Sequence, residues 1–492
     1  MNRMMMVAAV AAVGLSALAD PFEVRVWRGE TTVVRVPDFT ELGAVPEGLD
    51  IRFGVLKPVR YLKHPYDLEI RQRFDRVEWG STKIDGPRVA EIHAPADAKP
   101  GVYTCGMMDV RVIDRVLPEP KDWKYYLDLW QHPWASARVA GAKPFSRAHY
   151  QAMRPVWELL ATAGQKAITT TLVDWPWNHQ CRDAYGSMIG RQKVKVEGEG
   201  ERWKFDYSIF DEYVAFAKSC GLGPDIACYT MCPWGFGVDW KDEKGETVRG
   251  TAKPGTPEFA DYWGPFLKDF AAHLKAKGWF EHTYIAMDER PPKDVKAIAD
   301  FIQTCAPGMK ISLAGNRKPS EFVGITIDNY CQYVGHMTDD FLAEVRDRQA
   351  KGYITTYYVC CGPEFPNSFL TSWPEESFWL GVYPAMAGLD GFLRWAWNSW
   401  GEDPMNDGSY RDWRAGDVYL AYPDGSPSWR FVEIRNGIAT AEKVRILEKD
   451  AAFSDELAKL RKRYDYKEAM ANKTDFRQLK LDTLKLVNRE DR

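Results

Sequence analysis

Tyr284-Ile285-Ala286-Met287-Asp288-Glu289-Arg290-Pro291-Pro292 opens as a short apolar run, ends it with two adjacent carboxylates, and follows them with prolines. A run this short and apolar reads as a strand buried on both faces. Proline suits the first turn of a helix, where its missing N–H would have no partner anyway. The segment therefore predicts a strand that hands over at its carboxyl end to a helix across 292–305. Two neighbouring acids at an apolar strand end repel each other and lose solvation, a cost that function usually explains. A helix cap accounts for one of them only, because capping needs a single side chain.

The same strand–helix rhythm extends in both directions. Strands are predicted at 125–131, 167–174, 225–231, 284–288, 310–313, 326–330, 353–359 and 391–397, and helices at 146–163, 209–220, 257–277, 292–305, 338–350 and 374–387. Eight strands with helices between most of them predict an α/β fold, a (β/α)8 TIM-type barrel over residues 119–440, rather than an open doubly wound sheet. No G-x-G-x-x-G motif follows a strand, which weakens a dinucleotide-binding reading. Ahead of the barrel, residues 20–118 carry short segments (22–27, 31–36, 68–74, 89–93 and 110–113), several of them separated by turns such as Asp85-Gly86-Pro87. They predict a small all-β antiparallel sandwich. Leu117-Pro118-Glu119-Pro120 reads as the linker. The last stretch, 441–492, is a charged helical extension: 25 of its 52 residues are Lys, Arg, Asp or Glu, with signs interspersed as on a solvated helix. Leu447, Phe453, Leu457 and Leu460 are the residues expected to dock it.

A hydrophobic share of 45% with 27% charged residues excludes extended disorder. A net charge of −4 provides no global basic field, so no nucleic-acid partner is expected. The aromatic excess is more informative: 20 Trp, 23 Tyr and 23 Phe exceed what a core needs and suggest stacking on a flat ligand, with sugars the usual candidate. Residues 1–19 read as a secretory signal, with Arg3, an apolar run and a small-residue site ending at Ala19. The run is too short to span a bilayer and no second candidate follows, so no integral membrane segment is expected. The mature chain is expected to be exported, to the periplasm or the medium. Nine cysteines give no zinc-like spacing; no metal, no cofactor and few or no disulfides are expected. Cys360-Cys361 reads as buried free thiols in a strand-like run.

In barrels of this kind reactive groups sit at the carboxyl ends of strands, which directs attention to Asp288 and Glu289. Glycoside hydrolysis needs a proton for the leaving oxygen and a nucleophile for the anomeric carbon. A sugar with a 2-acetamido group can supply its own carbonyl oxygen as nucleophile. The protein then needs one acid and one carboxylate that orients the acetamido N–H. Glu289, with the longer reach, is assigned as acid/base and Asp288 as the acetamido-polarising group.

The chain resembles glycoside hydrolase family 123, the β-N-acetylgalactosaminidases. The likeness rests on Met287-Asp288-Glu289, on Gly391-Phe392-Leu393-Arg394-Trp395-Ala396-Trp397-Asn398-Ser399-Trp400, on Asp403-Pro404, Asp407 and Gly416-Asp417, and on Tyr422-Pro423. It implies a retaining, substrate-assisted enzyme that releases terminal β-linked N-acetylgalactosamine from glycans, with the Asp-Glu pair in the roles above.

Further residues are assigned as substrate contacts. Tyr330 is chosen as the hydroxyl aimed at the acetamido oxygen, with Tyr333 and Tyr357 nearby. Asn316 follows the fifth strand and is a candidate for a sugar hydroxyl. Trp175 and Trp177 are expected to form a stacking wall. Alternation puts Trp395 and Trp397 on one face, toward ligand or toward core, while Trp400 lies beyond the strand and is expected to touch ligand. Asn398 and Arg394 are placed at the barrel mouth. His132 and His179 are more simply structural. Two rival readings remain: a two-carboxylate retaining glycosidase using Glu289 and Glu364, and a non-catalytic carbohydrate-binding protein.

Overall fold

The computed structural model describes residues 22–490, apart from 39–41, 82–84 and 199, and the side chain of His179. The stretch read as a signal segment lies outside the described residues. Eight parallel strands form the central sheet: β1 (Tyr126–Leu129), β2 (Ala167–Thr171), β3 (Asp225–Tyr229), β4 (Thr283–Met287), β5 (Lys310–Gly315), β6 (Asn329–Tyr333), β7 (Ile354–Tyr358) and β8 (Gly391–Arg394). They pair in the order β1-β8-β7-β6-β5-β4-β3-β2, so the chain returns to its start and the sheet curls into the expected barrel. One backbone bond and two glutamine side chains close the last seam. The Lys166 N–H donates to the Leu127 carbonyl at 2.9 Å, while Leu129 N–H donates to Gln165 Oε1 at 3.0 Å and Thr169 N–H to Gln131 Oε1 at 2.9 Å. Ala227, Ala286 and Ala314 face the barrel interior beside Trp130 and Tyr229, small residues making room for large ones.

The wall is made by α1 (Arg147–Ala161), α2 (Ser208–Ser219), α3 (Pro257–Lys277), α4 (Pro292–Cys305), α5 (Asp339–Ala350), α6 (Pro374–Ala387) and α7 (Trp429–Leu447). Their ends follow local chemistry. Thr256 caps α3 by accepting from the Phe259 N–H, Pro257 opens it, and Gly278 closes it at φ 69. No helix separates β5 from β6, where a single turn at Pro319–Glu321 suffices. α6 and α7 pack closely because each presents a glycine: a Cβ on Gly437 would sit 2.4 Å from the Phe378 carbonyl oxygen, and one on Gly381 2.5 Å from that of Ile434. α7 runs through residue 440, where the sequence suggested that the barrel ends. Helices Ser454–Arg461, Tyr466–Met470 and Phe476–Val487 follow it, and Leu447, Phe453, Leu457 and Leu460 are buried.

The N-terminal sandwich differs from expectation in one respect. Its four-stranded sheet is antiparallel, but Phe22–Arg28 pairs parallel to Met108–Val116 in the other sheet. Val24, Val26, Ala90, Ile92 and Val110 pack between the sheets. A buried ion pair fastens this unit to the barrel: Arg430 donates from Nε and Nη2 to the two oxygens of Asp75, each at 3.0 Å, and Tyr422 Oη donates to the same carboxylate at 2.6 Å. The long loop expected after β2 contains two strands. Gly190–Val196 and Gly200–Asp206 join Gly237–Lys241 and Thr247–Thr251 in a small sheet at the rim. Among the described residues no helix is long and apolar enough to cross a membrane.

Candidate active site

The strands deliver their inward-facing residues to a cavity of about 400 Å³ at the carboxyl ends, lined by Asp288, Glu289, Asn316, Tyr333, Tyr358 and Trp395 among others. Side-chain alternation explains most of this set. Ala286 points into the barrel, so Asp288, two residues on, also points inward. Glu289 would point out if the strand continued. Instead the strand stops at Met287, and the Asp288 Oδ1 accepts the Glu289 N–H at 2.7 Å, turning both carboxylates into one pocket.

The two acids occupy different environments. Glu289 accepts from Asn316 Nδ2 at 3.0 Å on one oxygen and from the Tyr358 hydroxyl on the other. Burial pushes its carboxyl above the usual range; the Tyr358 hydrogen bond works against this and the nearby Asp288 charge adds to it. Asp288 accepts from Trp234 Nε1 at 3.1 Å in addition to the Glu289 amide. Trp234 is itself held by the Arg290 guanidinium, 4.0 Å from the ring centre, and Arg290 donates from Nε to the Cys232 carbonyl at 2.7 Å. Trp395 and Trp413 meet edge to face at 5.8 Å and form another part of the wall. Behind them Arg394 pairs with Asp417 at 2.7 Å, both fully buried. One Asp417 oxygen has no partner among the described residues and the residue lines the cavity.

Of the residues picked from sequence, Asp288, Glu289, Asn316 and Trp395 come together here. Trp175 does not line this cavity; it flanks an adjoining cleft that shares Trp234. Several others are corrected. Tyr330 is buried on the outer face of β6 between Phe322 and Phe341, its hydroxyl donating to the Arg317 carbonyl. The sixth strand begins at Asn329 rather than 326, so its carboxyl end is Tyr333, which does line the cavity. Tyr357 also faces outward and donates to the Leu380 carbonyl at 2.7 Å. Trp400 is 1% exposed and donates to the Ala421 carbonyl at 2.7 Å. Asn398 is a buried bracket, accepting from the His132 N–H at 2.8 Å and donating to its carbonyl at 3.1 Å. Because β8 ends at Arg394, Trp395 and Trp397 do not share a face: Trp397 packs on Phe431 in the core. Arg394 is likewise buried rather than at the mouth. Trp177 stacks on Trp130 below the cavity at 5.4 Å, and His179 has no described side chain. Glu364 is outside the cavity, 3.4 Å from Arg414 and 3.8 Å from Lys63.

Tyr358, Trp234, Trp413 and Asp417 were not picked from sequence. Asp417 and Tyr358 had signals, the Gly416-Asp417 motif and the alternation next to Tyr357. Trp234 and Trp413 come from loops with no periodic signal.

No curated protein matches the chain. Among solved structures the chain is similar to a family 123 glycoside hydrolase from Clostridium perfringens analysed for glycolipid glycan hydrolysis, at 24% identity, with 95% of this chain and 92% of that one covered and a TM-score of 0.80. That likeness shows the fold. A Clostridium thermocellum endo-1,4-β-D-xylanase module pair, at 10% identity with 84% of each chain covered, reaches a TM-score of only 0.35. The family model described as "Glycoside hydrolase 123, catalytic domain" matches residues 130–447, more than half of the chain and every residue of the cavity. The chain belongs to glycoside hydrolase family 123.

Proposed function

We propose that this glycoside hydrolase releases terminal β-linked N-acetylgalactosamine from glycans, with retention, by a substrate-assisted mechanism. The observation that carries the reading is the pair of carboxylates in one aromatic-walled pocket, each in a different environment. A carboxyl raised by burial, beside a second that accepts two N–H bonds, fits divided acid and base roles. Glu289, partly desolvated and raised above the usual carboxylate range, holds its proton to higher pH than a free carboxyl and delivers it to the leaving oxygen. Asp288 accepts two N–H bonds and retains lone pairs for the acetamido N–H of the sugar. The acetamido oxygen then attacks the anomeric carbon to close an oxazoline ring. Glu289, now ionised, takes a proton from the water that opens it. Tyr333 takes the role first given to Tyr330, its hydroxyl directed at the acetamido oxygen. The free oxygen of Asp417 accepts from a sugar hydroxyl, and Trp395 and Trp413 supply the apolar face.

The position of Glu364 favours this over a two-carboxylate route, since its ion pairs lie on the rim. The aglycone proposed is a glycolipid glycan, by likeness to the Clostridium perfringens protein. The site of action proposed is outside the cytoplasm, on the reading of residues 1–19.

The test is nitrophenol release from aryl β-N-acetylgalactosaminide, aryl β-N-acetylglucosaminide and aryl β-galactoside, with Glu289→Gln in parallel. Activity on acetamido sugars alone, abolished in the variant, is expected. Cleavage of the plain galactoside would overturn substrate assistance. Sugar binding in calorimetry without any turnover would make the protein a lectin.

A further inference from the structure

Beyond the end of β7 two cysteines stand side by side in the cavity wall. Cys360 and Cys361 both line the pocket that holds Asp288 and Glu289, and their sulfurs lie 3.8 Å apart. The hydrolytic reading uses neither thiol. Among the nine cysteines these two alone line the cavity. Cys361 is exposed and Cys360 half-buried, whereas six of the remaining seven are buried and Cys305 sits half-buried at the end of α4. The expectation of buried free thiols at 360 and 361 therefore fails, in part for Cys360 and wholly for Cys361, both standing past the strand end. The chain turns immediately afterwards, with the Cys360 N–H donating to the Gly362 carbonyl at 3.0 Å. A Cβ on Gly362 would meet the Tyr333 hydroxyl at 2.9 Å, so this turn lies directly against a tyrosine of the pocket.

We propose that Cys360 and Cys361 are a redox-active vicinal dithiol in the pocket wall, closed by exchange with a small external disulfide such as oxidised glutathione. The Cys361 thiolate attacks one sulfur of that disulfide, forming a Cys361–glutathione bond and expelling a glutathione thiolate, which takes up the proton Cys361 lost. The Cys360 thiolate then attacks the Cys361 sulfur, forming the Cys360–Cys361 bond and expelling the second glutathione, which is protonated in turn. The dithiol loses two electrons and the external disulfide gains them. Exposure makes Cys361 the attacking group, and the hydrogen bond from Cys360 holds its thiol below the ordinary cysteine range. Adjacent α-carbons stand about 3.8 Å apart, closer than the ~4.4–6.8 Å that ordinary disulfides span. The closed ring is therefore readily reduced, in the manner of labile rather than structural disulfides. Closure replaces a thiol edge of the pocket with an apolar S–S edge and tethers the chain leading from Tyr358. The consequence for turnover rests on the sugar-pocket reading; the closure itself does not.

The experiment equilibrates the full chain in buffers of varied reduced-to-oxidised glutathione ratio, quenches it with acid, alkylates under denaturing conditions and digests with trypsin. The peptide 352–394 holds these two cysteines and no other. Under oxidising ratios it is expected two hydrogens lighter and unalkylated, under reducing ratios doubly alkylated. The buried cysteines should be alkylated in both. Cys360→Ser is expected to stop at a glutathione adduct on Cys361. A wild-type peptide doubly alkylated at every ratio, or one that ends as the glutathione adduct, overturns the proposal. On the closed form KM for the acetamido glycoside is expected to rise about threefold or more, with kcat changed less, and to recover with dithiothreitol. An unchanged KM on a closed ring overturns the coupling to the pocket. If no glycoside is cleaved at all, the mass of the peptide still decides the dithiol.

Discussion

Asn316 donates from Nδ2 to Oε2 of Glu289 at 3.0 Å, tying the loop after β5 to the acid that follows β4. The Tyr358 hydroxyl takes the other oxygen from β7. Three strands thus hold one carboxyl group in one orientation, and each hydrogen bond also stabilises its charged form.

That has a consequence for pH. Burial raises Glu289 and the Tyr358 hydroxyl opposes the rise. Tyr358→Phe removes an opposing donor, so the carboxyl rises further. A general acid must be protonated, and activity falls as pH rises through its pKa. The alkaline limb of kcat/KM is expected to move to higher pH in Tyr358→Phe, read from a rate profile on the aryl acetamido glycoside. A shift to lower pH would contradict the assignment of Glu289 as the acid.

Trp234 donates its only polar hydrogen to Asp288. Trp234→Phe keeps much of the ring but loses that bond, worth about 1.5–3 kcal/mol when the acceptor is charged. The expected result is a loss of kcat/KM of about tenfold or more on acetamido substrates. An equal loss in binding of a simple galactoside would show that the ring only stacks.

The two tyrosines of β6 make a paired control. Tyr333→Phe is expected to lower kcat on acetamido substrates, because its hydroxyl is in the pocket. Tyr330→Phe removes a buried hydrogen bond on the outer face and is expected to cost about 1 kcal/mol of stability with kcat unchanged. Urea unfolding and steady-state kinetics on both variants separate the two effects.

Glu364 pairs at the rim with groups that remain partly solvated, and such pairs contribute about 0–1 kcal/mol. Glu364→Gln is expected to keep kcat within about threefold of wild type. Near-complete loss would restore the two-carboxylate route.

Arg430 and Asp75 join the sandwich to the barrel with both side chains almost fully buried. Removing one partner from a buried pair costs about 3–5 kcal/mol, because the other is left charged and uncompensated. Asp75→Asn is expected to lower stability by that order in urea titration, and the double variant with Arg430→Met to recover part of it. No recovery would mean that the arginine's bonds to the Ser368, Gly416 and Tyr419 carbonyls dominate.

The barrel was legible in the sequence because short strand-like runs alternate with helices, several of which carry their own start chemistry. Pro257, Pro292 and Pro374 open helices whose expected and observed bounds agree. The Asp288–Glu289 pair was legible for a related reason, since two acids at an apolar strand end have little else to do. The tyrosines were not legible. Side chains alternate along a strand with a period of two, so an odd error in register moves a residue to the other face. Starting the sixth strand three residues early exchanged Tyr330 for Tyr333, and Tyr357 stood one position from Tyr358.

What the sequence determined by itself, then, is what short-range chemistry decides: element type, helix caps and the strand end that bears the acids. Tertiary structure alone decided the rest of the pocket. Trp234, from the loop after β3, meets Trp413 and Asp417 from the stretch after β8, far along the chain, and Asn398 and Trp400, polar or aromatic near the mouth, are consumed in bracing His132 and Ala421. Loop conformation depends on contacts between distant segments, and no periodicity within a segment records which partner it will meet.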